Sequence, residues 1–292
     1  MRVKFGRVLT AMVTPFKEDG QIDYKRVESI IDHLLKNGTD ALVLVGTTGE
    51  ASTLTSTEKE ELFKFCIQYV DSKVPIIAGV GTNNTAESVK ATKLATELGV
   101  DGVMAVVPFY NKPSKQGVIS HFKAIAAATP LPVMLYNVPG RTGINMDSQT
   151  AIELSKVENI MALKEASGDL EQIAEIITHT DDDFSVYCGD DALLLPALSI
   201  GCVGIVSVAS HVCGHEFQTL IRSYQNGKVS IAAKLHQSLL PLLKALTIAP
   251  NTTCIKYALQ LKGIESGYVR LPLVELSKEE KNIIKKEMKL LP

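Results

Sequence analysis

The chain contains no tryptophan, and only 5% of its 292 residues are aromatic. Its formal net charge is −2. It therefore lacks both the basic surface that follows a phosphate backbone and the rings on which bases stack. No uninterrupted apolar run approaches the ~20 residues that a membrane helix needs, and no apolar segment follows a basic start as in a signal peptide. The sequence predicts a soluble protein with neither a nucleic-acid nor a membrane partner.

A disulfide framework is not indicated either. The five cysteines are odd in number and widely separated, and most of them lie in apolar runs. This pattern is typical of reduced thiols in a protein core, and it predicts a cytoplasmic protein. The residues are Cys66, Cys188, Cys202, Cys213 and Cys254.

The sequence instead shows a repeated alternation of short apolar runs and amphipathic stretches. The runs are apolar almost throughout, as expected of parallel strands that are covered on both faces. Eight such units without a dividing linker predict the α/β class and a (β/α)8 TIM barrel. The predicted strands are Leu9–Val13, Ala41–Val45, Pro75–Val80, Gly102–Val107, Pro132–Tyr136, Ile160–Lys164, Phe184–Cys188 and Gly204–Val208.

Amphipathic helices are predicted between the strands. One covers Thr85–Leu98 and is closed by Gly99, and another begins at a predicted capping box of Thr57 and Glu60. We predict a barrel over residues 1–224 and a C-terminal helical appendage over residues 225–292. The helices of that appendage are predicted at Ile231–Leu246, at Cys254–Leu261 and after a cap at Ser277 and Glu280.

Polar residues follow the predicted strands, where the active sites of such barrels lie. Lys164 ends the sixth strand, and a lysine buried there has a lowered pKa and a lone pair that can attack a carbonyl. Taken singly, each of the polar residues at the strand ends also has a purely structural explanation. Lys164 could be a solvated strand end, the Gly-Thr-Thr-Gly string a tight turn, Tyr136 a core phenol and Arg141 part of a surface ion pair. Together they favour keto-acid chemistry through an imine. The other members of the set are Tyr136, Tyr110, Thr47, Thr48 and Arg141.

Three strings resemble those of the dihydrodipicolinate synthase family of pyruvate-dependent lyases. They are VGTTGE at Val45–Glu50, YNVPGRTG at Tyr136–Gly143 and KEASGD at Lys164–Asp169. The resemblance covers essentially the whole chain, from Thr10–Phe16 to Arg270–Leu273. It implies condensation of pyruvate with L-aspartate 4-semialdehyde to 4-hydroxy-tetrahydrodipicolinate, in diaminopimelate and lysine biosynthesis. It also implies a homotetramer built from tight dimers, with no cofactor and no metal.

The resemblance assigns catalytic roles to four residues. Lys164 would form the Schiff base with pyruvate, and the protonated imine would act as the electron sink. Tyr136 would donate and accept the protons. A phenol is a poor base at neutral pH, so a relay through Thr47 to Tyr110 would assist it. Tyr110 would reach the active site of the neighbouring subunit.

Four further residues would bind the substrates. By the same resemblance, Thr48 and the backbone N–H groups of the turn from Gly46 to Gly49 would hold the pyruvate carboxylate. Gly189 and the carbonyl of Val206 would line the opposite side. Arg141 would bind the carboxylate of aspartate semialdehyde with its planar fork.

Alternative functions are weighed against this interpretation. The lysine and the Gly-Thr-Thr-Gly-Glu string also occur in N-acetylneuraminate lyase and 2-keto-3-deoxy-sugar-acid aldolases, so Arg141 is the discriminating residue. A dinucleotide-binding turn at Gly79–Asn84 lacks the third glycine. A metal site would need His211, Cys213 and His215 to be aligned across Gly214. A catalytically silent keto-acid sensor is disfavoured, because every expected catalytic group is present.

The chain departs from the family pattern at two places. Lysine-inhibited members of the family carry a serine, two histidines and a tyrosine in a pocket at the subunit interface. This chain has Ala51, Ser56, Lys59 and Phe109 at those positions, and only Asn83 and Glu87 match the family's pocket. We therefore predict that L-lysine does not inhibit the protein. The segment Ala249–Cys254 lacks the second proline that usually follows the asparagine, so its loop geometry is open.

Overall fold

The computed structural model describes residues 5–291. Eight parallel strands are hydrogen-bonded in chain order, and the sheet closes on itself. The predicted (β/α)8 barrel is therefore confirmed, and each strand lies where the apolar runs indicated. The strands are β1 (Val8–Ala11), β2 (Ala41–Leu44), β3 (Ile76–Gly79), β4 (Gly102–Val106), β5 (Val133–Asn137), β6 (Ile160–Glu165), β7 (Ser185–Cys188) and β8 (Gly204–Ser207).

Helices separate the strands and continue after the last one. One short 3-10 turn covers Asp191–Leu193. The helices are α1 (Tyr24–Lys36), α2 (Ser56–Val70), α3 (Thr85–Leu98), α4 (Lys115–Ala126), α5 (Pro139–Thr142), α6 (Ser148–Leu154), α7 (Leu170–Thr178), α8 (Leu194–Ser199), α9 (Ser210–Gln225), α10 (Val229–Ala245), α11 (Asn251–Leu261) and α12 (Lys278–Met288). None of the helices within residues 5–291 combines the length and the apolar content of a membrane span.

The helix ends follow local capping chemistry. The Thr85–Leu98 helix ends at Gly99 in the left-handed conformation, as predicted. The capping box at Thr57 and Glu60 is wrong. The helix begins two residues earlier, where Thr55 has extended backbone and exchanges hydrogen bonds with Glu58, and the same Thr-x-x-Glu spacing occurs at both places.

By compactness the chain divides into two units. We call Pro75–Val206, with the N-terminal residues up to Gly6, the central unit. The terminal unit comprises Arg7–Val74 and the residues from Ser207 onwards. These units differ from the barrel and appendage predicted from the sequence, whose boundary after residue 224 stays a prediction.

Apolar burial explains the elements of both units. The side chains of β1 and β2 are all buried in the terminal unit, and those of β5 are all buried in the central unit. All five cysteines are buried as well. Burial raises the pKa of the Cys66 thiol to about 12, which makes this thiol a poor nucleophile.

Candidate active site

Lys164 lies inside the central unit, at the second-last position of β6. Its side chain is only 5% exposed. In the register of β5 and β6, Lys164 pairs with Tyr136, and its Nζ lies 4.2 Å from the centroid of the Tyr136 ring. Among residues 5–291, no carboxylate lies within 4 Å of this ammonium. The position of this amine, buried and directly over a phenol ring, suits a nucleophile that forms a covalent bond with a substrate.

Gly189 and Val206 belong to the same unit as Lys164. The N–H of Gly189 donates to the carbonyl of Glu165, 2.7 Å away. A Cβ on Gly189 would lie 3.1 Å from Cγ of Lys164 and 2.7 Å from Cβ of Ala166. The absence of a side chain at 189 therefore leaves room for the lysine stem. Val206 is fully packed on β8, at 1% exposure.

The Gly-Thr-Thr-Gly-Glu turn follows β2 in the terminal unit. Gly49 donates its N–H to Gly46 O at 3.1 Å, so this N–H is not available to a bound anion. Of the N–H groups predicted to bind an anion, those of Gly46, Thr47 and Thr48 therefore stay candidates. Thr48 is 3% exposed, whereas Thr47 is exposed. Val45, at the start of the turn, has a φ of 56°, which is strained for a β-branched residue.

Glu50 fixes the other end of this turn, a role that the sequence analysis missed. Its Oε1 lies 2.7 Å from Nζ of Lys256, and the two side chains are 1% and 3% exposed. Its Oε2 accepts the backbone N–H of Arg270 at 2.9 Å. Burial lowers the pKa of Lys256 to about 8, against the attraction of Glu50. Lys256 is therefore a buried lysine with a fixed counter-charge, in contrast to Lys164.

The segment Ala249–Cys254, which contains Asn251, also supports this turn. Oγ1 of Thr252 donates to the carbonyl of Thr48 at 3.4 Å, and α11 begins at Asn251. A helix therefore begins at Asn251 even though the second proline of the family pattern is absent.

Arg141 lies in the single-turn helix α5, which Pro139 begins and Gly143 ends at a φ of 77°. The guanidinium is exposed. Within the described part of the chain it has no carboxylate within 4 Å. An unpaired guanidinium can donate two parallel hydrogen bonds to a substrate carboxylate.

Glu165 is the second functional candidate that the sequence analysis missed. It is 1% exposed and accepts hydrogen bonds from Asn137 Nδ2 (3.0 and 3.1 Å), Gln172 Nε2 (3.1 Å) and Ser167 N (2.7 Å). Burial raises the pKa of Glu165, and these donors oppose the shift. The sequence offered no signal for this contact, because Asn137 and Glu165 meet only through the register of β5 and β6.

Tyr110 lies apart from the buried residues of the central unit. It is 87% exposed and has a φ of 71°. Its N–H donates weakly to the carbonyl of Thr142 at 3.4 Å, beside the Arg141 turn. A large aromatic side chain held outward in this way is available to a second subunit, and its role in a neighbouring site stays a prediction.

The alternative sites have structural explanations. A Cβ on Gly81 would lie 2.3 Å from Val106 N, so this glycine allows close packing against β4. His211 accepts the N–H of Val13 at 3.2 Å and donates to the carbonyl of Val208 at 2.8 Å. Burial lowers the pKa of His211 to about 4. Across residues 5–291, no three His, Cys, Asp or Glu side chains form a group that could hold a metal.

A separate cavity of about 420 Å³ lies in the terminal unit, lined by α11 and the segment after it. Its charged lining residues are already neutralised. Arg26 pairs with Glu265 at 3.0 Å, and Lys281 pairs with Glu275 at 3.1 Å. We therefore do not assign the reaction to this cavity.

Comparisons with known proteins agree with the motifs. The model of the dihydrodipicolinate synthetase family matches residues 4–291. The 4-hydroxy-tetrahydrodipicolinate synthase of Bacillus subtilis is 55% identical over 280 residues, which are 96% of this chain and 97% of that protein. The crystal structure of dihydrodipicolinate synthase from Bacillus anthracis is 51% identical, with a TM-score of 0.98 over 100% of both chains.

Another similar structure is described as the first monomeric dihydrodipicolinate synthase variant. It is 38% identical, with a TM-score of 0.95 over 98% of this chain and 97% of that one. The oligomeric state therefore varies among similar proteins. The family predicted from the motifs is confirmed: the chain belongs to the dihydrodipicolinate synthetase family.

Proposed function

We propose that the chain is a Schiff-base-forming lyase that condenses pyruvate with L-aspartate 4-semialdehyde to 4-hydroxy-tetrahydrodipicolinate. The observation that carries this proposal is the buried amine of Lys164, which lies over the ring of Tyr136. The names of the similar enzymes support the same reaction.

The first half of the reaction takes place on Lys164. Its neutral amine attacks the ketone carbon of pyruvate, and the resulting carbinolamine loses one water to give a protonated imine. Loss of one methyl proton then gives an enamine, with the imine nitrogen as the electron sink. This scheme uses no metal ion and no organic cofactor. We assign the proton transfers to the phenol of Tyr136, relayed through Thr47 to Tyr110.

The pyruvate carboxylate is assigned to the turn after β2. The hydroxyl of Thr48 and the N–H groups of Gly46, Thr47 and Thr48 are its donors. Gly189 and the carbonyl of Val206 line the other side of the bound imine.

The second half joins the two substrates. The enamine carbon attacks the aldehyde carbon, and Tyr136 protonates the alkoxide that forms. The amine of the second substrate then attacks the imine carbon, which closes the ring and releases Lys164. Arg141 holds the carboxylate of this substrate through two parallel hydrogen bonds.

Borohydride trapping tests the imine. Reduction in the presence of pyruvate should give one stable adduct, which peptide mapping places on Lys164. Lys256 is the internal control, because it is equally buried but paired with Glu50. An adduct on Lys256, or none in a folded protein, refutes the proposal. Lys164→Ala should lose nearly all activity and retain the fold.

We also propose a homotetramer of tight dimers in the cytoplasm. The exposed ring of Tyr110 supports the dimer, and the buried cysteines suit a reducing compartment. Mixing inactive Tyr110→Phe subunits with inactive Lys164→Ala subunits should restore part of the activity, since a hybrid dimer contains one complete site. No recovery after confirmed subunit exchange would show that each site is self-contained.

A further inference from the structure

Arg141 lies on a loop whose two ends are joined by one side chain. We call residues 138–145 the arginine loop. Oδ1 of Asn137 accepts the N–H of Met146 at 3.0 Å, and Nδ2 of Asn137 lies 3.3 Å from the carbonyl of Met146. Nδ2 also donates to Oδ1 of Asn145 at 2.7 Å. Asn137 is completely buried, so its amide closes the loop in an environment where a wrong orientation leaves polar groups unpaired.

Glu165 determines which way this amide points. An ionised carboxylate accepts hydrogen bonds and donates none. The two oxygens of Glu165 lie 3.1 and 3.0 Å from Nδ2 of Asn137, so the NH2 group of the amide must face Glu165. The carbonyl of the same amide then faces the N–H of Met146.

The far side of the loop depends on the same carboxylate. Oε2 of Glu165 accepts from Nε2 of Gln172 at 3.1 Å, which leaves the amide oxygen of Gln172 directed to Asn145. Nδ2 of Asn145 donates to that oxygen at 2.7 Å. Glu165 therefore orients both amides that contact the end of the arginine loop.

We propose that Glu165 is a positioning residue that holds the arginine loop through Asn137 and thereby sets the affinity of Arg141 for the carboxylate of the second substrate. This inference rests on the proposed function of Arg141. It assigns no direct contact between Glu165 and either substrate.

Glu165→Gln is the most informative change, because it preserves size and replaces one oxygen by an NH2 group. That NH2 group would face the NH2 groups of Asn137 and Gln172. The one oxygen that remains can accept hydrogen bonds from only some of the donors that now surround Glu165. One of the two amides must rotate, and the Asn137 bond to Met146 or the Gln172 bond to Asn145 is then lost.

The test is a comparison of KM values together with imine trapping. For Glu165→Gln, KM for aspartate semialdehyde should rise about tenfold, the effect of losing one orienting hydrogen bond. KM for pyruvate and the rate of borohydride trapping on Lys164 should change by less than about twofold. Asn137→Ala carries the same expectation if Glu165→Gln does not fold.

Glu58→Gln is the stability-matched control. It removes an ion pair with Arg270 in the terminal unit and contacts no residue of the arginine loop. It should lower thermal stability and leave both KM values unchanged.

Equal changes in the two KM values, or no change in either, would overturn the inference. Failure of the proposed function differs from both results, because the wild type would then form no trapped imine or would not consume aspartate semialdehyde.

Discussion

Glu50→Gln removes the negative charge from an ion pair that is shielded from water. The two partners, Glu50 and Lys256, are 1% and 3% exposed, so solvent screening does not weaken the change as it would at a surface. Lys256 also donates to the carbonyl of Tyr268 at 2.6 Å and lies 4.7 Å from the ring centroid of Phe16. Neither group carries a full negative charge.

The expected loss follows from the buried charge that remains. Breaking a buried pair by removal of one partner costs about 3–5 kcal/mol, whereas replacing both partners by groups of similar volume is close to neutral. Glu50→Gln should therefore lower the free energy of unfolding by about 3–5 kcal/mol. The double variant with Lys256→Met should recover most of that loss, because no charge is left buried.

Denaturant unfolding of the wild type, both single variants and the double variant measures the coupling. All four are compared at one protein concentration, so that the proposed subunit association does not enter the difference. Borohydride trapping with pyruvate tests whether each variant still forms the proposed imine. Losses that simply add in the double variant, or a loss below about 1 kcal/mol for Glu50→Gln, would show that the pair behaves as a surface salt bridge and that the reasoning is wrong.

Three further predictions concern substrate choice, pH and regulation. Arg141→Leu should lower kcat/KM for aspartate semialdehyde by a factor that corresponds to several kcal/mol, and it should spare imine formation. Faster cleavage of N-acetylneuraminate by the wild type would instead favour the alternative lyases, N-acetylneuraminate lyase and the 2-keto-3-deoxy-sugar-acid aldolases. Hydrogen bonding from Arg270 lowers the pKa of Glu58 from 4.5 to about 2. The pair therefore stabilises the fold fully above pH 4.5, and this contribution is lost as pH falls toward 2, a slope that Glu58→Gln should reduce in acid unfolding. Millimolar L-lysine should leave the rate nearly unchanged, because Lys59 repels a cationic ligand and Phe109 lacks a phenol; saturable inhibition would contradict this.

The strands and the buried lysine were predictable because their signals are local. An unbroken apolar run such as Ile160–Leu163 reports burial on both faces wherever it occurs in a chain. The lysine that follows such a run lies at the end of a barrel strand, where chemistry is found. Both inferences need only adjacent residues, and the structure bears out the strand and the burial of Lys164.

The supporting charges were not predictable, because their partners are far apart in the chain. Glu50 meets Lys256 across 206 positions, and Glu165 meets Asn137 only through the register of two strands. The sequence analysis also counted the N–H of Gly49 among the donors that are free to bind an anion, although it donates to Gly46. Whether Gly49 donates to Gly46 or to a ligand depends on the turn's backbone angles, which its residue types do not determine.

Val45 links the geometry of this turn to the way the enzyme can evolve. A β-branched residue at a φ of 56° is held away from its preferred conformation, at a cost on the order of 1–3 kcal/mol. The fold bears that cost whether or not a ligand is bound. Val45→Gly would relieve the strain, but it would also remove a side chain that is only 3% exposed, and loss of a buried valine costs about 1.5–3 kcal/mol, to which glycine adds the entropy of a freer chain. We therefore expect selection for heat resistance to retain the strained valine at this position.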